Sequence, residues 1–195
     1  MTTWHWVRHG PTHAKNFVGW RDVPADLSDA AQIARLRDYL PQTAVVVSSD
    51  LGRSRTTADA IIHSTHKRLP ENPHLREIHF GVWDGMHFDD IAARDPALSR
   101  QFWEMPGDVA APSGESWNAA SARVQTAVDA ISARHAGQHI IAVAHFGVIL
   151  TQVQRALQIS AYDTLAQKID NFSVTSIHWG KRKTNATVHA INHLP

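Results

Sequence analysis

The sequence predicts an α/β fold of three layers: a mostly parallel central sheet flanked by helices, with a small helical and loop excursion. Three observations predict it. Short apolar or β-branched runs alternate with segments of helical period along most of the chain. Residues 44–47 and 140–144 are apolar throughout, as in strands covered on both faces. The 195 residues, 43% hydrophobic and 19% charged, suffice for a sizeable core without covalent staples and exclude a disordered chain. One domain over residues 1–195 is expected, with the excursion at about 70–115.

The elements follow in order. Residues 4–7 are aromatic or β-branched and predict a first strand. Ser28 is placed as an N-cap, and Ile33, Leu36 and Leu40 repeat at helical spacing until Pro41 stops the helix. Residues 44–47 make a second strand and residues 54–62 a helix. Residues 74–78 predict a short strand, and residues 86–105 one or two short helices around Asp95-Pro96. Pro106-Gly107 and Pro112-Ser113-Gly114 mark a loop. Ser116 then caps a helix that carries Val124, Val128 and Ile131 on one face and ends near Gly137. Residues 140–144 form another buried strand, followed by a helix marked by Ile149, Val153 and Leu157. Residues 174–179 and 187–191 alternate as two strands joined across residues 180–185.

Composition removes several function classes. With no cysteine among the residues, thiolate nucleophiles, disulfides and cysteine-ligated metals are excluded. Nineteen Lys+Arg against 18 Asp+Glu leave a net charge of +1 without a long basic run, so a nucleic-acid partner is not expected. The amino terminus lacks the basic and apolar regions of a secretory signal. The longest apolar runs fall far short of the ~20 residues of a membrane span. The expectation is a cytoplasmic protein without a membrane partner. Nothing in the pattern signals a particular oligomeric state.

Three predicted strands end in polar residues of one chemical kind. The first runs into Arg8-His9-Gly10, the second into Ser48-Ser49-Asp50 with Arg53 following, and the strand from Ile140 into His145. In open α/β sheets the ligand crevice lies beyond the carboxyl ends of the strands, so two arginines and two histidines converge. That set suits a phosphoryl group, which arginine grips with a bidentate fork. The helix beginning near Gly52 is expected to add backbone N–H groups. An imidazole nitrogen is the natural nucleophile, and the cations hold the equatorial oxygens. A leaving alkoxide needs an acid, and Glu77 beside apolar residues fits a raised pKa. Spacing alone does not select it from 18 carboxylates.

Val7-Arg8-His9-Gly10-Pro11-Thr12 resembles the Arg-His-Gly signature of the histidine phosphatase superfamily, the phosphoglycerate-mutase-like proteins. The segment from Ser49 through Arg53 to Ala58 looks like its second motif. The segment from Leu75 through Glu77 to Gly85 looks like its acid-bearing motif. Gly114-Glu115-Ser116 and Val143-Ala144-His145-Phe146-Gly147-Val148 resemble the later ones. The matches occur in family order over most of the chain.

The resemblance implies His9 as the phosphorylated nucleophile, with Arg8, Arg53 and His145 forming the phosphate pocket. Glu77 becomes the general acid and later the base that activates water, and His145 counts among the catalytic residues. Thr12 and Asn16 fall in the substrate loop. No metal and no diffusible cofactor is implied for the phosphatase branch, and the partner is a small phosphorylated metabolite. Pro11 stands where the family often has Glu, Lys15 where it has Asn, and Phe146 where it commonly has Gly. Residues 100–104 offer no adjacent arginine pair of the kind that mutases use. This favours a phosphatase acting on a small monoester. The rivals are a phosphoglycerate-mutase-type phosphotransferase, a protein-phosphohistidine phosphatase and a non-catalytic phospho-ligand binding module.

Each of these residues also has a structural reading. His9 fits as an ordinary strand-end histidine, His145 as a satisfied core histidine, and Arg53 as a solvated helix residue with Arg55 as its rival. Glu77 fits as a surface or capping carboxylate, Glu115 as a helix-start carboxylate, and Asp50 as a turn or cap residue. His5, His9 and His13 share no helical face, so a metal site is not expected. Phe80, Trp83, Phe88, Phe102, Trp103 and Trp117 either line a pocket for a ring-bearing leaving group or form the core that holds the excursion.

Overall fold

The computed structural model describes residues 1–180 and 185–195. The strands are β1 (Thr2–Arg8), β2 (Val45–Ser48), β3 (Lys67–Arg68), β4 (His139–Ala144), β5 (Val174–Trp179) and β6 (Ala186–His193). The helices are α1 (Ala30–Tyr39), α2 (Gly52–Ile61), α3 (Phe88–Arg94), α4 (Pro96–Glu104), α5 (Trp117–Arg134), α6 (Phe146–Leu157) and α7 (Ala161–Leu165). The strands lie in the order β3-β2-β4-β1-β5-β6. The first four are parallel, and β5 and β6 add antiparallel at one edge. The expected mostly parallel sheet between helices is the fold observed.

Side-chain alternation decides which face each helix covers. Ile140, Ala142 and Ala144 of β4 join Trp4 and Trp6 of β1 in a core with Val124 and Val128 of α5 and Ile149 of α6. Ile141 and Val143 point the other way, with Val7, toward Leu36 of α1 and Ala58 and Ile61 of α2. Each fully buried Leu or Ile in these layers contributes about 1.5–3 kcal/mol. The excursion packs on the first core through Phe80, Trp83, Ile91 and Phe102. At its seam Gly81 has φ +52°, and a Cβ there would lie 2.1 Å from the Pro112 carbonyl, so only glycine fits.

Several local expectations are corrected. Residues 74–78 form no strand. Pro73–Leu75 is a 3-10 turn, started by Asn72, whose side chain accepts from His74 N–H at 2.9 Å. The carbonyls of His74, Arg76 and Glu77 then accept from the Arg123 guanidinium instead of a neighbouring strand. The α1 cap is Asp29, whose Oδ1 accepts from Gln32 N–H at 2.9 Å, while Ser28 serves the preceding turn. The short elements β3 and α7 went unread, being too brief for a periodic signal. The connection between β5 and β6 closes with Gly180 N–H donating to Asn185 O at 2.7 Å. The rest of that expected junction, residues 181–184, lies outside the described residues.

The register places the site. β1 and β2 flank β4, with Arg8 opposite Ala144 and Ser48 opposite Val143. The next backbone bonds, His9 N–H to Ala144 O at 3.1 Å and Ser49 N–H to Val143 O at 3.2 Å, carry the three chain segments off the sheet side by side.

Candidate active site

His9 sits just past β1 and is 6% exposed. Its Nδ1 lies 2.7 Å from the Gly10 carbonyl, an oxygen that can only accept, so Nδ1 carries the proton and Nε2 the lone pair. Arg53 Nε–H donates to that lone pair at 3.2 Å. Burial, then the charges of Arg53 and Arg8, push the His9 pKa down to about 3, against the opposing Gly10 hydrogen bond. The ring is therefore neutral at pH 7. Thr57 and Asn171 hold the surrounding backbone: Gly10 N–H donates to Thr57 Oγ1, and Asn171 Nδ2 to His9 O.

Arg53, in the first turn of α2, is 1% exposed. Its other terminal nitrogens donate to the carbonyls of Arg21 at 3.1 Å and Gly19 at 2.7 Å. Those three bonds engage three of five guanidinium N–H groups, which leaves two for an anion. Arg55 points outward to Glu71, so the inward cation is Arg53. Arg8 donates to Ile169 O at 2.6 Å, and its guanidinium lies 5.5 Å over the Phe146 ring. Phe146 lines the cavity beside His9.

His145 precedes α6 and is fully buried, its ring centroid 5.1 Å from that of His9. Its Nε2 lies 2.7 Å from Ser49 Oγ and 3.2 Å from Ser54 Oγ. Leu51 N–H donates to Ser49 Oγ; with the Ser49 hydroxyl donating to Nε2, the imidazole proton is assigned to Nδ1. That Nδ1 is buried without a partner among the described residues, a donor left for a ligand oxygen. Burial, then Arg53 and His9, hold its pKa well below the usual value.

Glu77 is 7% exposed and lines the same cavity as Arg8 and His9. Its carboxylate accepts from Ile78 N–H at 2.9 Å and from Gly147 N–H at 3.2 Å, at the positive end of α6. Burial raises its pKa above 4.5, against those two bonds and the charges of Arg53 and Arg8. Its backbone carbonyl accepts from Trp20 Nε1 at 2.7 Å and Arg123 at 3.2 Å. Arg123 in turn clamps Glu115 with two bonds of 2.7 Å, so Glu115 ties the excursion to α5. Thr12 and Asn16 also line the cavity, and the Asn16 amide donates to Gly85 O at 2.7 Å.

Two expectations fail here. The first N–H of α2, that of Gly52, donates to Asp22 Oδ1 at 2.7 Å, so a carboxylate caps the helix where a phosphate was expected. Asp50 instead grips the Arg76 guanidinium through both oxygens. Of the six expected aromatics, Phe80, Phe102, Trp103 and Trp117 line the cavity, whereas Trp83 is fully buried in the core and Phe88 half-exposed. Sequence reading missed Trp20, Arg123, Ser49 and Ser54 as supports. The serines lay within a quoted motif, but Trp20 and Arg123 gave no local signal. Among the described residues no group of three or more His, Asp or Glu is placed to hold a metal ion. No helix among them is long and apolar enough to cross a membrane.

Comparison with known proteins gives the following. A family profile described as histidine phosphatase superfamily (branch 1) matches residues 5–192. A metal-independent phosphoserine phosphatase from Arabidopsis thaliana is 30% identical over 186 residues, 91% of this chain and 76% of that protein. A probable phosphoglycerate mutase, GpmB, from Serratia proteamaculans is 25% identical over 176 residues, 88% and 82% of the two chains. The solved structure of Bacillus stearothermophilus YhfR superposes with a TM-score of 0.85 at 26% identity, covering 97% of this chain and 96% of that one.

Proposed function

Because the chain belongs to the histidine phosphatase superfamily, branch 1, we propose that it is a metal-independent phosphatase that hydrolyses a small phosphate monoester through a phosphohistidine on His9. The observation that carries the reading is the His9 imidazole. It is buried and neutral, its Nδ1–H is held by Gly10 O, and its Nε2 lone pair faces the Arg53 guanidinium.

A phosphoryl group entering the cavity takes the place of the His9–Arg53 bond. The free N–H groups of Arg53, the Arg8 guanidinium and the unpartnered His145 Nδ1–H hold its non-bridging oxygens. His9 Nε2 forms a bond to phosphorus while the ester P–O bond breaks. Glu77, whose burial favours the protonated form, gives its proton to the departing oxygen. The alcohol leaves, and Glu77 is now a carboxylate. It takes a proton from a water whose oxygen attacks phosphorus; the P–N bond breaks, and inorganic phosphate and the protonated acid are regenerated. The charge in both steps is met by side chains already in place, so catalysis is largely positioning and electrostatics.

The test is phosphate release from a panel of small monoesters with excess chelator present, run beside His9→Ala. Expected are turnover indifferent to chelator in the native protein and none in the variant. Turnover retained by the variant refutes the phosphohistidine, and turnover abolished by chelator refutes metal independence. The GpmB relative supports a mutase as the second reading. Isomerised product exceeding free phosphate, with stimulation by a bisphosphate, would select it.

A further inference from the structure

Resting on the phosphatase reading, we propose that the site selects monoesters whose leaving group is uncharged and apolar, with a planar ring as the best fit. Leaving groups that carry a carboxylate or a second phosphate are disfavoured. A cavity of about 270 Å³, which includes the phosphoryl position at Arg8 and His9, is walled by Phe17, Phe80, Phe102, Trp103, Trp117 and Phe146. These rings support one another. Phe17 stacks on Trp103 with centroids 5.5 Å apart and meets Phe80 edge-on at 5.1 Å, and Phe102 meets Trp103 edge-on at 4.8 Å. Rings that served only to hold the excursion would fill their own space, because protein cores leave few voids larger than a water molecule. A dry apolar cavity of about 150 Å³ already accepts benzene, so this one has room for a ring beside a phosphoryl group.

The charges point the same way. Among the described residues, the cavity wall has no basic side chain beyond Arg8 and His9, and both are taken up by the phosphoryl group. The surrounding arginines are committed elsewhere: Arg76 to Asp50, Arg123 to Glu115, and Arg21 to Asp84. A carboxylate on the leaving group would lie among aromatic walls and near Glu77 with no further cation on the wall to pair it, Lys15 being exposed outside it between Ala14 and Asn16. A cationic leaving group is kept off the Phe146 face, which already carries the Arg8 guanidinium. The polar groups on the wall are few. Asn16 has its amide on Gly85 O, and the Trp103 indole N–H has no partner among the described residues.

Phosphonates lack a cleavable ester oxygen, so they read this selectivity without turnover. Calorimetric titration of the native protein would compare benzylphosphonate, 2-carboxyethylphosphonate and 2-(trimethylammonio)ethylphosphonate. Benzylphosphonate should bind about tenfold or more tightly than either charged analogue. Trp103→Leu should weaken benzylphosphonate selectively. Asn16→Arg, at the exposed mouth, should strengthen the carboxyethyl analogue by supplying the missing cation. Equal or tighter binding of the carboxyethyl or trimethylammonio compound overturns the proposal, as does absence of binding by all three. Turnover of 1-naphthyl phosphate is measured alongside. Benzylphosphonate preference without that turnover supports the pocket's selectivity and refutes the phosphatase reading instead.

Discussion

Exchange of Gly147 for Ala sets a methyl group against the acid. A Cβ built at Gly147 meets Glu77 Oε1 at 2.5 Å and the Ile78 side chain at 2.9 and 3.1 Å. Ordinary contact begins at 3.4 Å, so the carboxyl must retreat by about 0.9 Å, the difference between 3.4 and 2.5 Å, or α6 must shift. A misplacement of about 1 Å in a catalytic group costs on the order of 10² in rate. The loss should fall where the proton matters. With a simple alkyl phosphate, whose alkoxide cannot leave unprotonated, kcat is expected to drop about 10²-fold. With p-nitrophenyl phosphate the leaving group departs without help. Its first step, followed as the stopped-flow burst of nitrophenolate, should stay within about threefold of native. Circular dichroism establishes that the variant is folded. Unchanged alkyl phosphate turnover in a folded variant, or a burst slowed as much as that turnover, would refute the placement of Glu77 as the acid.

Other expectations follow from the same geometry. Glu77→Gln should lower kcat by about 10²–10⁴. Activity in the native protein should fall as pH rises through the raised Glu77 pKa, and this alkaline limb should vanish in the variant, as pH–rate profiles would reveal. The low pKa of His9, about 3 against 6.5 in the unfolded chain, makes the unfolded chain bind more protons below pH 6.5. Stability is therefore full above that pH and lost as pH falls toward 3, by about 2 kcal/mol between pH 7 and 5 for this group. Urea midpoints at the two pH values should differ less in His9→Asn than in the native protein, and an unchanged difference would count against a buried neutral imidazole. Leu36 is fully buried between α1 and the sheet, so Leu36→Ala should cost about 2–5 kcal/mol in denaturant unfolding.

The core strands were legible because their signal is local. In the run 44–47 and in β4 nearly every residue is buried, and an unbroken apolar run reports that directly. The α5 cap was equally plain, since Ser116 accepts from Ala119 N–H within three residues. The 74–78 segment misled because its β-like pattern is overridden by a guanidinium from α5, some 47 positions away at Arg76. The cap of α2 misled for a similar reason, as Asp22 arrives from a loop 30 positions earlier. Among the aromatics, composition could not separate Trp83 from Trp103. One is fully buried in the core and the other faces the cavity, and that choice is made by how α3 and α4 dock.

The sequence by itself therefore determined the residue types that can meet a phosphoryl group, their places at strand ends, and the alternation that builds two cores around one sheet. These are properties of short stretches: a strand's two-residue period and the chemistry of a side chain do not depend on distant partners. Only the tertiary structure decided which nitrogen of His9 carries the lone pair, which proton His145 keeps, and why Glu77 is buried beside Gly147. It also decided that α2 offers its N-terminus to Asp22 and that six rings leave a cavity with no further cation on its wall. Tautomers, pKa values and cavities depend on hydrogen-bond partners and burial supplied by other segments, and those are brought together only when the chain folds.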